Sequence, residues 1–183
     1  LSGTSKYGFT SLLASGTSAR VSTTSADYVL GTGAFTIEFW HYRGNDTASG
    51  NVYQYSALLN YGPYSAGGIA FLYKNGTTDF GVMNQSITAF SASIPVAART
   101  WVHIALVRTA GGVTTMYADG TSVGTVDITG STNISGSTIT ILGSPAYTDA
   151  SPSNMMIDEL RITKGVARYT ANFTVPTTPF PRQ

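Results

Sequence analysis

Glu38 and Glu159 are the only glutamates in the chain. A carboxyl pair is the smallest set that cleaves a glycosidic bond, and a retaining pair stands about 5 to 5.5 Å apart. The two fall on different expected strands, so only neighbouring strands would bring them together. A structural role competes with catalysis, because a lone charge inside a strand is costly to bury. Ser122 lies in "GTSVG" at 120–124, which matches G-x-S-x-G. The nucleophile elbow needs a strand, a strained Ser and then a helix. Here a hairpin turn precedes Ser122 and "GTVDITG" follows, so the match reads as coincidence.

His41 and His103 stand alone in apolar strands with no i, i+4 partner and no zinc spacing. They read as packed or hydrogen-bonded groups. Gly31 and Gly33 do not extend to G-x-G-x-x-G, since position 36 is Thr, so no phosphate loop is indicated. Absence of Cys removes thiolate chemistry and disulfides. The sequons at Asn45, Asn75, Asn84, Asn133 and Asn172 are expected by coincidence in so Ser- and Thr-rich a chain.

Charge is concentrated in "IDELRITKGVARYTANFT", where Asp158, Glu159, Arg161, Lys164 and Arg168 hold five of the chain's 19 charged residues. Charged residues are 10% of the sequence, against about 25% in typical domains. A net charge of +1 with no basic stripe argues against nucleic acid. No apolar run approaches the roughly 18 residues of a membrane span, so membrane insertion is not expected. The start at Leu1 suggests a processed product or a fragment.

The elements that must position these residues are strands. Period-two alternation recurs along the chain, with Gly, Asn, Asp and Ser between the runs. In "WVHIALV" Val102, Ile104 and Leu106 share one face, and Trp101, His103, Ala105 and Val107 share the other. Gly111–Gly112 and Asp119–Gly120 supply tight turns and make a three-stranded meander, and Asn75–Gly76 makes a hairpin. Further strands are expected over 11–13, 19–23, 35–42, 53–60, 87–90, 138–142 and 155–163. "GVARYT" at 165–170 alone looks capable of a helical turn. More than ten short strands, many apolar on both faces, imply an all-β fold of two stacked antiparallel sheets. One domain over 1–183 fits this length, with 174–183 as an extended strap because Pro176, Pro179 and Pro181 fix φ and remove donors.

Three segments in order carry a family resemblance: "GTGAFTIEFWHYR" at 31–43, "ARTWVHIALVRTAGGVTTMYADGTSVGT" at 98–125 and "IDELRITKGVARYTANFTVPTTPFP" at 157–181. Together they resemble the concanavalin A-like lectin/glucanase superfamily in its laminin-G and pentraxin-like branch. The last segment is similar to versions in phage tail-fibre and other virion proteins. The resemblance implies a jelly-roll sandwich and often carbohydrate recognition. The E-x-D-x-x-E strand of hydrolase members is missing, so a non-enzymatic domain is expected. Relatives often bind Ca²⁺ on an edge loop, for which Asn45 and Asp46 are the candidate oxygen donors here, with Asp79, Asp149 and Asn154 as others. No cofactor is required.

In this fold the strand of the first segment lies beside that of the last, so Glu38 and Arg161, with Glu159, are expected to form a structural clasp. Plain alternation puts Glu159 and Arg161 on one face with Ile157, and Asp158 on the other with Leu160 and Ile162. Binding is expected between 45 and 68, where Tyr53, Tyr55, Asn60, Tyr61 and Tyr64 mix aromatic faces with amide groups suited to sugars. The first reading is a virion domain for adhesion or assembly, extracellular when mature, with other virion proteins, like copies in a homo-oligomer (a trimer in the fibre setting) and host-surface glycan as partners. Alternatives are a secreted bacterial carbohydrate-binding module or, last, a glycoside hydrolase.

Overall fold

The computed structural model describes residues 5–9, 11–14, 20–44, 55–61, 68–74, 78–84, 92–126, 133–142 and 155–181. These build an all-β, two-sheet antiparallel jelly-roll sandwich. In chain order the strands are β1 (Leu12–Ala14), β2 (Val21–Thr24), β3 (Phe35–Arg43), β4 (Tyr55–Tyr61), β5 (Ile69–Lys74) and β6 (Asp79–Asn84). They continue as β7 (Ala92–Pro95), β8 (Thr100–Arg108), β9 (Thr114–Ala118), β10 (Thr121–Thr125), β11 (Thr138–Ile141) and β12 (Met155–Lys164). One sheet runs β1-β12-β3-β8-β9-β10 and the other β2-β11-β4-β5-β6-β7.

Alternation explains the layering. Phe35, Ile37 and Phe39 of β3 and Ile104 and Leu106 of β8 meet Leu59, Phe71, Phe80 and Val82 of the opposite sheet in one core. Phe39 and Phe71 meet edge to face at 5.2 Å, the arrangement a ring quadrupole favours. Each such fully buried side chain stabilises the fold by about 1.5–3 kcal/mol. The other face of β3 and β8 carries Thr36, Glu38, Trp40, His103, Ala105 and Val107. That face is also covered, which is why β3 is buried along nearly its whole length although it carries Thr36, Glu38, His41 and Arg43.

The meander β8–β9–β10 turns at Asp119 and Gly120, with φ of 45° and 77°, a pair of positive angles that suits a two-residue hairpin. β5 and β6 pair as the Asn75–Gly76 signal predicts. The expected strand at 87–90 lies outside the described residues, and β7 at Ala92–Pro95 was not anticipated. No helical turn forms at "GVARYT". Thr36 Oγ1 donates to Val166 O and accepts from Arg168 N, so backbone groups that a helix would use are taken by β3. The one short helix described is a 3₁₀ turn at Ala26–Tyr28, capped by Ser25.

Candidate functional site

Glu38 lies on central strand β3 with no exposed side-chain surface. Nε and Nη2 of Arg161 both stand 2.8 Å from its Oε1. Tyr169 Oη donates to Oε2 at 2.8 Å. His103 Nε2 approaches Oε2 at 3.5 Å and Arg168 Nε approaches Oε1 at 3.6 Å, too far for strong hydrogen bonds. Burial pushes the Glu38 carboxyl up, but His103, Tyr169 and Arg161 outweigh it and hold the group below its ordinary 4.5. Tyr169 is pushed up to about 12, by burial first and then by its bond and proximity to the Glu38 charge. The phenol therefore keeps its proton and remains a donor.

A carboxylate with no exposed surface, held by Arg161 on one oxygen and Tyr169 on the other, is closed to an incoming substrate. The enclosure is the segment after β12. Gly165, at φ 82°, bonds Ala34 O and turns the chain back over the sheet. Tyr169 and Phe173 stack with centroids 3.5 Å apart and close a second small core over Ala105, Val107 and Tyr117. Phe173 N bonds Gly120 O, and Asn172 Oδ1 accepts from Ser122 N. The Arg161 guanidinium lies 3.8 Å over the Phe180 ring. The covering strap thus runs from Gly165 to Pro181.

The N-terminal segment closes the same face. Lys6 N and Tyr7 N both donate to Asp158 Oδ2, Tyr7 Oη donates to Pro176 O at 2.6 Å, and Lys6 Nζ lies 3.8 Å over Trp40.

β12 departs from plain alternation. Asp158 pairs with Trp40 and Arg161 with Glu38, so four residues of β12 oppose three of β3. This bulge puts Glu159 at φ 52° and brings Arg161 to the same face as Asp158, with Ile157 turned the other way into the core. Glu159 is not the third member of the ion pair. Its Oε2 accepts from Phe180 N at 2.6 Å instead, because the bulge aims it at the strap. Residue types alone did not reveal Tyr169, His103 and Arg168 as neighbours of Glu38. The only available signal was the crowding of charge and aromatics after β12.

His41 belongs to the inter-sheet core. Its Nδ1 lies 3.1 Å from Met156 O and its Nε2 2.5 Å from Tyr73 Oη. Burial first, and the Arg43 charge after it, push His41 down to about 3 against the bond to Met156. The ring is therefore neutral, donating from Nδ1 and accepting at Nε2. Ser122 sits inside β10 and continues in strand to Thr125 instead of entering a helix directly, so it is not at a nucleophile elbow.

Asn45, Asp46, Tyr53, Tyr64, Asp149 and Asn154 lie outside the described residues. For Tyr55, Asn60 and Tyr61 the structure describes only the backbone, on β4. Asp79 opens β6. Among the described residues, no group of three His, Asp or Glu side chains could hold a metal ion. Half-buried aromatic surface does occur on the strap side of β3 and β8, where Tyr42 and Trp101 pair at 5.3 Å.

A laminin-G family model, described as the concanavalin A-like lectin/glucanases superfamily, matches residues 15–168. No curated protein sequence matches the chain. The receptor-binding domain of botulinum neurotoxin D superposes with a TM-score of 0.60 at 14% identity, over 86% of this chain and 40% of that one. A structure of botulinum neurotoxin type C, whose cell entry depends on interaction with two ganglioside molecules, gives 0.54 at 17% identity over 79% and 36%. A Trypanosoma rangeli sialidase in complex with 2,3-difluorosialic acid gives 0.52 at 15% identity over 72% and 21%. The chain spans less than half the length of these structures, and likeness at such identity concerns the fold.

Proposed function

We propose, for a chain that belongs to the concanavalin A-like lectin/glucanase superfamily, that it is a non-enzymatic domain recognising carbohydrate. The observation that carries this reading is the sealed Glu38. Its two oxygens are engaged by Arg161 and Tyr169 beneath the strap, while the other glutamate is bonded to Phe180 N. Neither is placed as an acid facing a base across an open cleft. Family membership supports sugar as the ligand class, as does the likeness to botulinum neurotoxin type C, whose cell entry depends on two ganglioside molecules.

The binding surface we propose is the segment holding Tyr53, Tyr55, Asn60, Tyr61 and Tyr64, with Asn45 and Asp46 as the candidate oxygen donors for Ca²⁺. Aromatic faces stack on sugar C–H surfaces while amides pair with hydroxyls. A glycan array tests this. Binding is expected for the chain, and a Tyr61→Ala/Tyr64→Ala variant of unchanged melting temperature should lose it. A flat response from the unaltered chain would remove the lectin reading. A reducing-end assay on bound polysaccharide should stay silent, and activity abolished by Glu38→Gln or Glu159→Gln would restore the hydrolase.

For the setting, we propose display on a virion, as part of a tail fibre, appendage or capsid decoration, next to like copies in a homo-oligomer and other virion proteins. The likeness of residues 157–181 to virion versions supports it. Low charge also lets copies pack closely with little repulsion. The second setting is a bacterial carbohydrate-binding module attached to a larger enzyme. Flanking sequence separates them: fibre or capsid domains favour the first and a catalytic domain the second.

A further inference from the structure

Three cations, Arg161, Lys164 and Arg168, line a surface groove of about 590 Å³ along the second half of β12. That volume lies within the range of small-molecule sites, about 300–1,000 Å³. Among the described residues, Glu38 is the carboxylate within ion-pair reach of this group, meeting Arg161 and Arg168. Lys164 is exposed, and its side chain forms no ion pair among the described residues. The cluster therefore holds two uncompensated positive charges in a chain whose total is only +1. The rest of the lining is apolar or neutral: Leu160, Ile162, Pro181 and Thr163.

We infer that this groove binds the carboxylate of an acidic sugar, a uronic or sialic acid residue within a glycan. The inference rests on the carbohydrate reading above and adds the ligand's charge and a second site. Arg168 is already oriented, since its Nε donates to Thr163 Oγ1 at 2.9 Å. Its terminal nitrogens present the planar fork that fits a carboxylate, and Lys164 adds a point charge beside it. Leu160, Ile162 and Pro181 offer the C–H surface that a pyranose ring covers.

An acidic peptide is the rival occupant. It would add as a strand along β12, where β1 pairs only with Met155 to Ile157. The bulge at Asp158–Arg161 twists that edge, and a charged, bulged edge is a poor template for an added strand.

The test is an amide-resolved NMR titration of the full chain with D-galacturonate, alongside D-galactose, sodium acetate and a tetraglutamate peptide. Galacturonate should move the amides of Thr163 to Arg168, bind more tightly than galactose or acetate, and weaken as salt rises. Lys164→Gln should weaken it about fivefold, the scale of one exposed ion pair, with Lys164→Arg restoring it and neither variant changing the melting temperature. Equal binding of acetate would mean a simple anion site and overturn the inference. So would tighter binding of tetraglutamate, or galacturonate shifts unaffected by Lys164→Gln. Glycans bound through the 53–64 segment while galacturonate moves no amide from Thr163 to Arg168 would overturn this inference alone, whereas no glycan bound anywhere overturns both readings.

Discussion

Glu38 and Arg161 show how one ion pair sets a strand's register. With no exposed surface on Glu38 and 21% on the Arg161 side chain, removing Arg161 leaves the carboxylate enclosed with weaker partners. Breaking a buried pair from one side costs about 3–5 kcal/mol. Arg161→Ala should lie near the lower end, because Tyr169 still donates, and thermal unfolding will show the loss. Since the folded Glu38 carboxyl lies below its ordinary 4.5, its contribution is complete above that value and is lost as pH falls through the folded pKa. Glu38→Gln should therefore be less stable at neutral pH and lose less on acidification, as paired urea melts would reveal. An equal loss in both proteins below pH 4.5 would place the acid limb elsewhere.

His41 works over a different window. Folded, it titrates at about 3, against 6.5 ordinarily. Between those values the unfolded chain binds a proton that the folded one refuses, so stability declines as pH falls, by about 1.4 kcal/mol per unit at most. His41→Asn should be less stable at pH 7 and nearly flat between pH 6.5 and 5, where the unaltered chain declines. Retention of the slope in the variant would assign it to another group.

At the level of elements, the strap and the β9–β10 turn depend on each other at Gly120. Its φ is 77° and a Cβ there would collide with Phe173 O, which belongs to the strap. Gly120→Ala should destabilise by about 2 kcal/mol from backbone strain alone, or about 4–8 °C at this size, and release the strap to proteolysis near Phe173. Resistance to protease in a destabilised variant would confine the damage to the turn. The turn was legible in the sequence because Asp-Gly between alternating runs has a local cause, and so were the strands on either side. The bulge at Glu159 was not, because what holds it is Phe180 N, far along the chain. The refusal of "GVARYT" to form a helix has the same origin, since Thr36 on β3 captures its backbone. The Glu38–Arg161 neighbourhood was readable because a charge in an apolar strand demands a partner and the family resemblance set the strand of the first segment beside that of the last. Tyr169 and His103 were not, because a Tyr or His sequence does not state where its polar atom points.

Across the whole molecule, both ends of the described chain close one face of one sheet. Residues 5–9 reach it through Tyr7 on Trp40 and Tyr7 Oη on Pro176, and the strap reaches it through Tyr169, Phe173 and Phe180. Both tryptophans, Trp40 and Trp101, lie on that face, so their fluorescence reports on the covering and circular dichroism reports on the sandwich beneath. In the unaltered chain the two signals should change together on urea unfolding, because releasing the covering uncovers the Glu38 charge and the apolar surface of Ala105, Val107 and Tyr117. Tyr7→Ala removes the ring against Trp40 and the bond joining the two ends while leaving the inter-sheet core untouched. Its fluorescence should shift red at a lower urea concentration than its circular dichroism, separating one transition into two. Coincident curves in Tyr7→Ala would mean that the strap holds without the N-terminal segment, and that the covering and the sandwich unfold as one unit through Glu38 alone.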